Sequence, residues 1–152
     1  MEIALFQPDI AGNVGTTLRT AACFGVAAHI IEPCGFPFSD GALKRAGMDY
    51  AVRANVRRHS DWTRFHHWTV EARRRVVLLT TAGATPLPAF EFSADDVLLL
   101  GAESSGVPQH VHHAAAARVA IPMQAGFRSL NVAVAAGIAL AEALRQTKGF
   151  PA

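Results

Sequence analysis

The chain has 152 residues, 51% of them hydrophobic and 17% charged, with a formal net charge of +2. That length suits one domain, which buries about 68–70% of its unfolded surface, and the composition excludes disorder. The expected organisation is a single domain over residues 1–152. No charged n-region followed by an apolar h-region opens the sequence, so a leader peptide is not expected. The longest uncharged run near the C-terminus, Ser129 to Ala141, is shorter than the roughly 20 residues a membrane helix needs. These features point to the cytoplasm and away from a membrane. Cys23 and Cys34 lack CxxC spacing and are expected to stay reduced.

Short apolar runs bounded by Gly, Pro or polar residues predict strands at Ile3–Phe6, Ala28–Glu32, Val76–Thr80, Val97–Leu100 and Arg118–Ile121. Helical patterns alternate with them. The first covers about Asn13–Phe24 and stops at Gly25, with Asn13 a natural N-cap. A second covers roughly Asp40–Ala46. Ser60 is the expected N-cap of a third, through Trp62, Phe65 and Val70. A fourth follows Pro108, which suits a first helical turn. The last spans about Ser129–Gln146. This alternation implies an α/β fold with a mostly parallel sheet flanked by helices.

The last helix, SLNVAVAAGIALAEAL, carries no charge before Glu142 and is apolar nearly all round. A small domain can cover only one side of it, so a second copy of the chain is the expected cover for the other. Charge is also uneven. Lys44 to Arg75 holds nine Lys and Arg residues, opposed locally only by Asp49, Asp61 and Glu71. Such a basic stretch suggests either an anionic partner or a solvated surface.

Several familiar sites are missing: there is no GxxxxGK[ST], no GxGxxG after a strand and no GxSxG. HVHH places His110 and His113 on one helical face, but no third ligand is evident, and a metal is not expected. His66 and His67 beside Trp62 and Trp68 could stack on bases or simply line an amphipathic helix. Three loops stand out together. They are IAGNVGTTLRT at Ile10–Thr20, LLLGAESSGVP at Leu98–Pro108 and IPMQAGFRSLNVAVAAG at Ile121–Gly137. Loops at the carboxyl ends of parallel strands are where α/β proteins bind ligands.

In this order and wording, the three loops resemble the motifs of the SPOUT family of RNA methyltransferases. HIIEPCGFPF at His29–Phe38 and KRAGMDY at Lys44–Tyr50 extend the likeness over nearly the whole chain. They resemble the minimal branch that methylates the ribose 2′-OH of the wobble nucleotide of tRNA. The resemblance implies a C-terminal trefoil knot, an exception to the rule against knots. It implies S-adenosylmethionine bound in the knot, a homodimer, and the anticodon stem-loop of tRNA as partner.

It further implies cofactor contacts from Leu79, Gly101, Ile121, Ser129 and Leu130. Asn13 and Arg19 match the motif residues placed at the active site, near the partner subunit's cofactor, and Asn131 also falls in a motif. Arg19, Lys44, Arg45 and Arg128 would meet RNA. An arginine is an awkward base, because freeing one at pH 7 costs at least about 7 kcal/mol. Its guanidinium is a good fork for phosphate oxygens, so Arg19 is expected to clamp the target phosphate. Ser105 stands where related enzymes carry arginine and Ala141 where they carry an aromatic. Those departures bear on RNA grip and dimer packing. Alternatives are the same chemistry on another RNA position, a non-catalytic RNA-binding module, and a flavodoxin-like nucleotide-binding protein.

Overall fold

A computed structural model describes residues 1–39, 41–42, 54–82 and 85–152. Seven strands form one sheet, every pair of them parallel. In chain order the strands are β1 (Glu2–Phe6), β2 (Ala27–Ile31), β3 (Val56–His59), β4 (Arg75–Leu79), β5 (Thr85–Pro86), β6 (Asp96–Leu100) and β7 (Ala117–Ala120). Across the sheet they run β3-β2-β1-β6-β4-β7-β5. The α-helices whose bounds lie among the described residues are α1 (Ala11–Cys23), α2 (Trp62–Glu71), α3 (Gln109–Ala114) and α4 (Val132–Thr147).

The central strands carry apolar residues on both faces because both are covered. Ile3, Leu5, Leu98 and Leu100 point to the side where α1 and α4 supply Val14, Leu18, Ala136 and Leu140. Ala4, Phe6, Val97 and Leu99 point to the other side, against Phe65 of α2 and Val111 of α3. The small side chains of α4 let it lie close to α1: Ala136, Ala139, Leu140 and Ala143 are fully buried. Its opposite face is not covered within the chain, leaving Val134 51% and Ile138 39% exposed.

The five expected strands are present to within a residue or so, and two more join them. β3, read VRRH, carries no apolar signature because it is an outer strand with neither arginine buried. β5 has two residues and, among the described residues, pairs only with β7.

Several helix ends differ from expectation. α1 starts at Ala11 with Ile10 as N-cap, so Asn13 lies inside the first turn and does not cap it. Asp61, not Ser60, caps α2, its Oδ1 accepting from the Arg64 amide at 2.8 Å. α4 starts at Val132, leaving Ser129 and Leu130 in the preceding loop. Gly25 does end α1, with a left-handed φ of 66°. The expected helix over Asp40–Ala46 lies mostly outside the described residues, as do Lys44 and Arg45.

Candidate active site

Three loops leave the carboxyl ends of β1, β6 and β7 and meet around a cavity of about 630 Å³. The volume falls within the roughly 300–1,000 Å³ of small-molecule sites. Leu79, Gly101, Ile121, Ser129 and Leu130, dispersed over fifty residues, all line it, together with Asn13 and Asn131. Thr80–Ala82 and the Glu103–Val107 turn complete much of the remaining wall.

Gly101 is dictated by a close approach. A Cβ there would sit 2.6 Å from the Gly106 carbonyl carbon. Ala102 and Gly106 exchange two backbone hydrogen bonds, at 2.9 and 2.8 Å, which fold the ESSG turn back over the strand end. The turn is closed by Gly106 at φ 65°. The result is a wall made largely of backbone, with apolar side chains from Leu79, Leu100 and Ile121 beside it.

Asn13 is the hub of a polar ladder across the three loops. The Asn131 amide Nδ2 donates to Asn13 Oδ1 at 2.9 Å. Asn13 Nδ2 donates in turn to Glu103 Oε1 at 3.0 Å. The other carboxylate oxygen of Glu103 accepts the Asp9 amide at 2.8 Å. Asn131 Oδ1 meanwhile caps α4, accepting from the Ala133 and Val134 amides at 2.9 and 3.3 Å. Asp9 Oδ2 accepts from the Ser104 hydroxyl at 2.6 Å and the Ser104 amide at 3.0 Å. Those two bonds, the hydroxyl first, hold the Asp9 carboxyl below its ordinary range. Glu103 and Asp9 were not legible as site residues. Their partners lie about ninety positions away, beyond the reach of any local pattern.

Arg19 is not brought to this cavity. It is exposed and shares a face of α1 with Gly12, Thr16 and Cys23, all exposed. Arg128 is exposed in the loop before α4, outside the cavity wall. Ser105 lines the cavity and Ala141 is half-buried on α4.

The basic stretch is less basic in space than in sequence. Arg58 pairs with Glu32 at 2.6 Å and Arg74 with Glu2 at 2.7 Å and Asp95 at 3.2 Å. Arg75 forks onto buried Asp96 at 2.6 and 2.8 Å. Arg57, Arg64 and Arg73 remain at the surface.

Away from the cavity, buried His29 bridges Glu2 Oε2 (2.5 Å) and His59 Nε2 (2.9 Å). Burial pushes His29 below its ordinary value against the opposing pull of Glu2, and burial also lowers His59. His113 bonds Gln109 at 3.0 Å. Among the described residues no group of three or more side chains is arranged to hold a metal. No helix among them is long and apolar enough to cross a membrane.

A parallel sheet with three glycine-bearing loops closed on one cavity defines the class: the chain belongs to the SpoU rRNA methylase family, whose pattern it matches over residues 1–141. Among its relatives is a tRNA (cytidine(34)-2′-O)-methyltransferase of Beijerinckia indica. It is 55% identical over 144 residues, covering 95% of this chain and 90% of that protein. A solved structure concerned with 2′-OH methylation of C/U34 on tRNA superposes with a TM-score of 0.87. It is 40% identical and covers 97% and 96% of the two chains. An AdoMet-bound rRNA methyltransferase from Sinorhizobium meliloti superposes with a TM-score of 0.85. It is 32% identical and covers 95% of this chain but 55% of that one.

Proposed function

We propose that this chain transfers a methyl group from S-adenosylmethionine to the ribose 2′-OH of the wobble nucleotide, position 34, of tRNA. The observation that carries the reading is the single cavity into which three distant loops converge, with Asn13 tied to both of the others. The named activities of relatives aligned over nearly the full chain favour the wobble nucleotide over other RNA positions.

The cavity fits the cofactor by size and by wall. Gly101 lets the Gly106 turn close against the strand end as a backbone wall, and Leu79, Ile121 and Leu130 supply apolar cover. When bound, the cofactor supplies an electrophilic sulfonium methyl. Ser129 and Leu130, held next to the Asn131 cap, orient it; the ladder through Asn13 and Glu103 fixes the wall it faces. Methyl transfer then needs the ribose hydroxyl in line, and positioning of this kind supplies about 7–11 kcal/mol.

The working unit is a homodimer of one-domain chains in the cytoplasm. Its support is the apolar surface made by Ile10, Leu130, Val134 and Ile138, which are 36–51% exposed. Arg19 and Asn13 are the active-site pair, with Arg19 completing the partner subunit's site by gripping the phosphate of the target nucleotide. Arg19, Lys44, Arg45 and Arg128 meet the anticodon stem-loop. The trefoil knot belongs to the same reading. β7 sits between β4 and β5, and the chain then returns to Asn13 at Asn131.

The test is mass spectrometry of tRNA nucleosides from a strain lacking the protein. The expected result is loss of a wobble 2′-O-methyl nucleoside, restored by the chain and not by an Arg19→Ala form. An unchanged set of wobble nucleosides would refute the reading.

A further inference from the structure

One short helix, α2, carries five aromatic residues, of which Phe65 is fully buried, and the structure separates the other four. Trp68 is enclosed. Its ring lies 4.3 Å from that of His29 and 5.8 Å from those of His59 and Phe65, and Arg57 covers it at 5.8 Å. His67 turns to Glu71 at 3.1 Å. Trp62 and His66, one turn apart, stack on each other with centroids 5.5 Å apart and planes 20° apart. Both are partly buried. The indole is fixed from within by the edge of Phe6 (6.2 Å) and by Phe65 (5.5 Å).

The position of this pair matters as much as its shape. Phe6 ends β1, whose carboxyl end leads through Asp9 to Asn13. Trp62 packs on the same buried cluster as Val107, and Val107 lines the cavity. The stacked pair therefore stands at the cavity end of the sheet, on the face opposite α1. Exposed Arg64 is on the same helix and exposed Arg57 on the adjoining strand. A rigid, partly exposed aromatic surface among cations suits a nucleobase, whose flat face stacks while its backbone meets the charges.

We propose that Trp62 and His66 form a stacking subsite for an unpaired anticodon-loop base next to the methylated nucleotide. This rests on the tRNA reading above. The subsite orients RNA; it does not take part in methyl transfer.

The chain has two tryptophans, so Trp68→Phe leaves Trp62 as the sole indole. In that form, anticodon stem-loop RNA is expected to quench the remaining emission, and an abasic nucleotide beside the wobble position is expected to abolish the quench. Trp62→Ala is expected to weaken stem-loop binding about 5- to 150-fold, with the affinity for S-adenosylmethionine unchanged. His66→Ala is expected to weaken it about 5-fold or more. Should Trp62→Ala not fold, the quench and His66→Ala decide. Absence of quenching, or stem-loop binding by folded variants within about twofold of the parent, would overturn the subsite. If the parent chain methylates the stem-loop and those changes are absent, the subsite fails and the methyltransferase reading stands. If the parent transfers no methyl group to it, that reading fails and takes the subsite with it.

Discussion

Replacing Gly101 by alanine tests the cavity wall. The new Cβ would lie 2.6 Å from the Gly106 carbonyl carbon, 2.7 Å from its Cα and 2.9 Å from its oxygen, where ordinary contact starts at 3.4 Å. All three neighbours are backbone, so no flexible side chain can swing aside. The Gly106 end of the turn must retreat until contact is ordinary, which carries its 2.8 and 2.9 Å hydrogen bonds to Ala102 past the usual range of about 3.2 Å. Two such bonds contribute about 1–3 kcal/mol together. In a domain of this size that lowers Tm by about 2–12 °C. The displaced turn is also the cofactor wall, so the affinity for S-adenosylmethionine, measured by calorimetry, should fall about tenfold or more. Gly106→Ala provides the contrast. Its Cβ meets open space, but its φ of 65° is strained for alanine, at about 1–2 kcal/mol. It should cost stability with a smaller loss of cofactor affinity. A Gly101→Ala chain with parental affinity, or a Gly106→Ala chain hurt more in binding, would refute the argument.

Other expectations follow from the same geometry. Asn13→Asp sets a carboxylate against Glu103, now 3.0 Å from the amide it replaces. It should cost about 1–3 kcal/mol by chemical denaturation and reduce methylation, with partial recovery at lower pH as the facing pair takes up a proton. Arg19→Ala should leave cofactor affinity unaltered while reducing methylation. Mixing it with Gly101→Ala chains should restore some activity by forming one intact site per dimer, and no restoration would argue against sharing of sites. His29 and His59 both have lowered pKa values when folded. The unfolded chain therefore binds more protons below about pH 6.5, and stability should be full above that pH and fall as pH drops through the window. Denaturation at pH 7.5 and pH 5 measures the slope, which should be shallower in His29→Gln.

The sequence announced what is repeated and apolar. β1, β4 and β6 are buried on both faces, so their runs of Ile, Val and Leu marked them clearly. β3 escaped notice because VRRH alternates nothing; among the described residues it is an outer strand paired with β2 alone. Helix caps were harder, since Asn13 and Ser60 have the right chemistry for caps, yet Asn13 lies three residues past the N-cap Ile10 and Ser60 one before the N-cap Asp61. Asn13 spends its amide on Glu103 and Asn131, which only tertiary structure brings near. The same limit applies to charge. Arg58, Arg74 and Arg75 read as a basic cluster along the chain, but Glu32, Glu2, Asp95 and Asp96 meet them in space. The loop residues lining the cavity were found through family likeness, because glycine and leucine backbones carry no chemical signature of their own.

The place of β7 between β4 and β5 has a consequence for biosynthesis. Both neighbours leave the ribosome before β7 exists. Until residues 117–120 arrive, the RVVLL strand presents an apolar edge with unpaired backbone groups on the β7 side. Such an edge is a template for pairing with another nascent chain. The segment from β7 onward therefore does more than supply a helix and a cavity wall: it closes the seam between β4 and β5, and truncation ahead of it should yield aggregates rather than a smaller soluble protein.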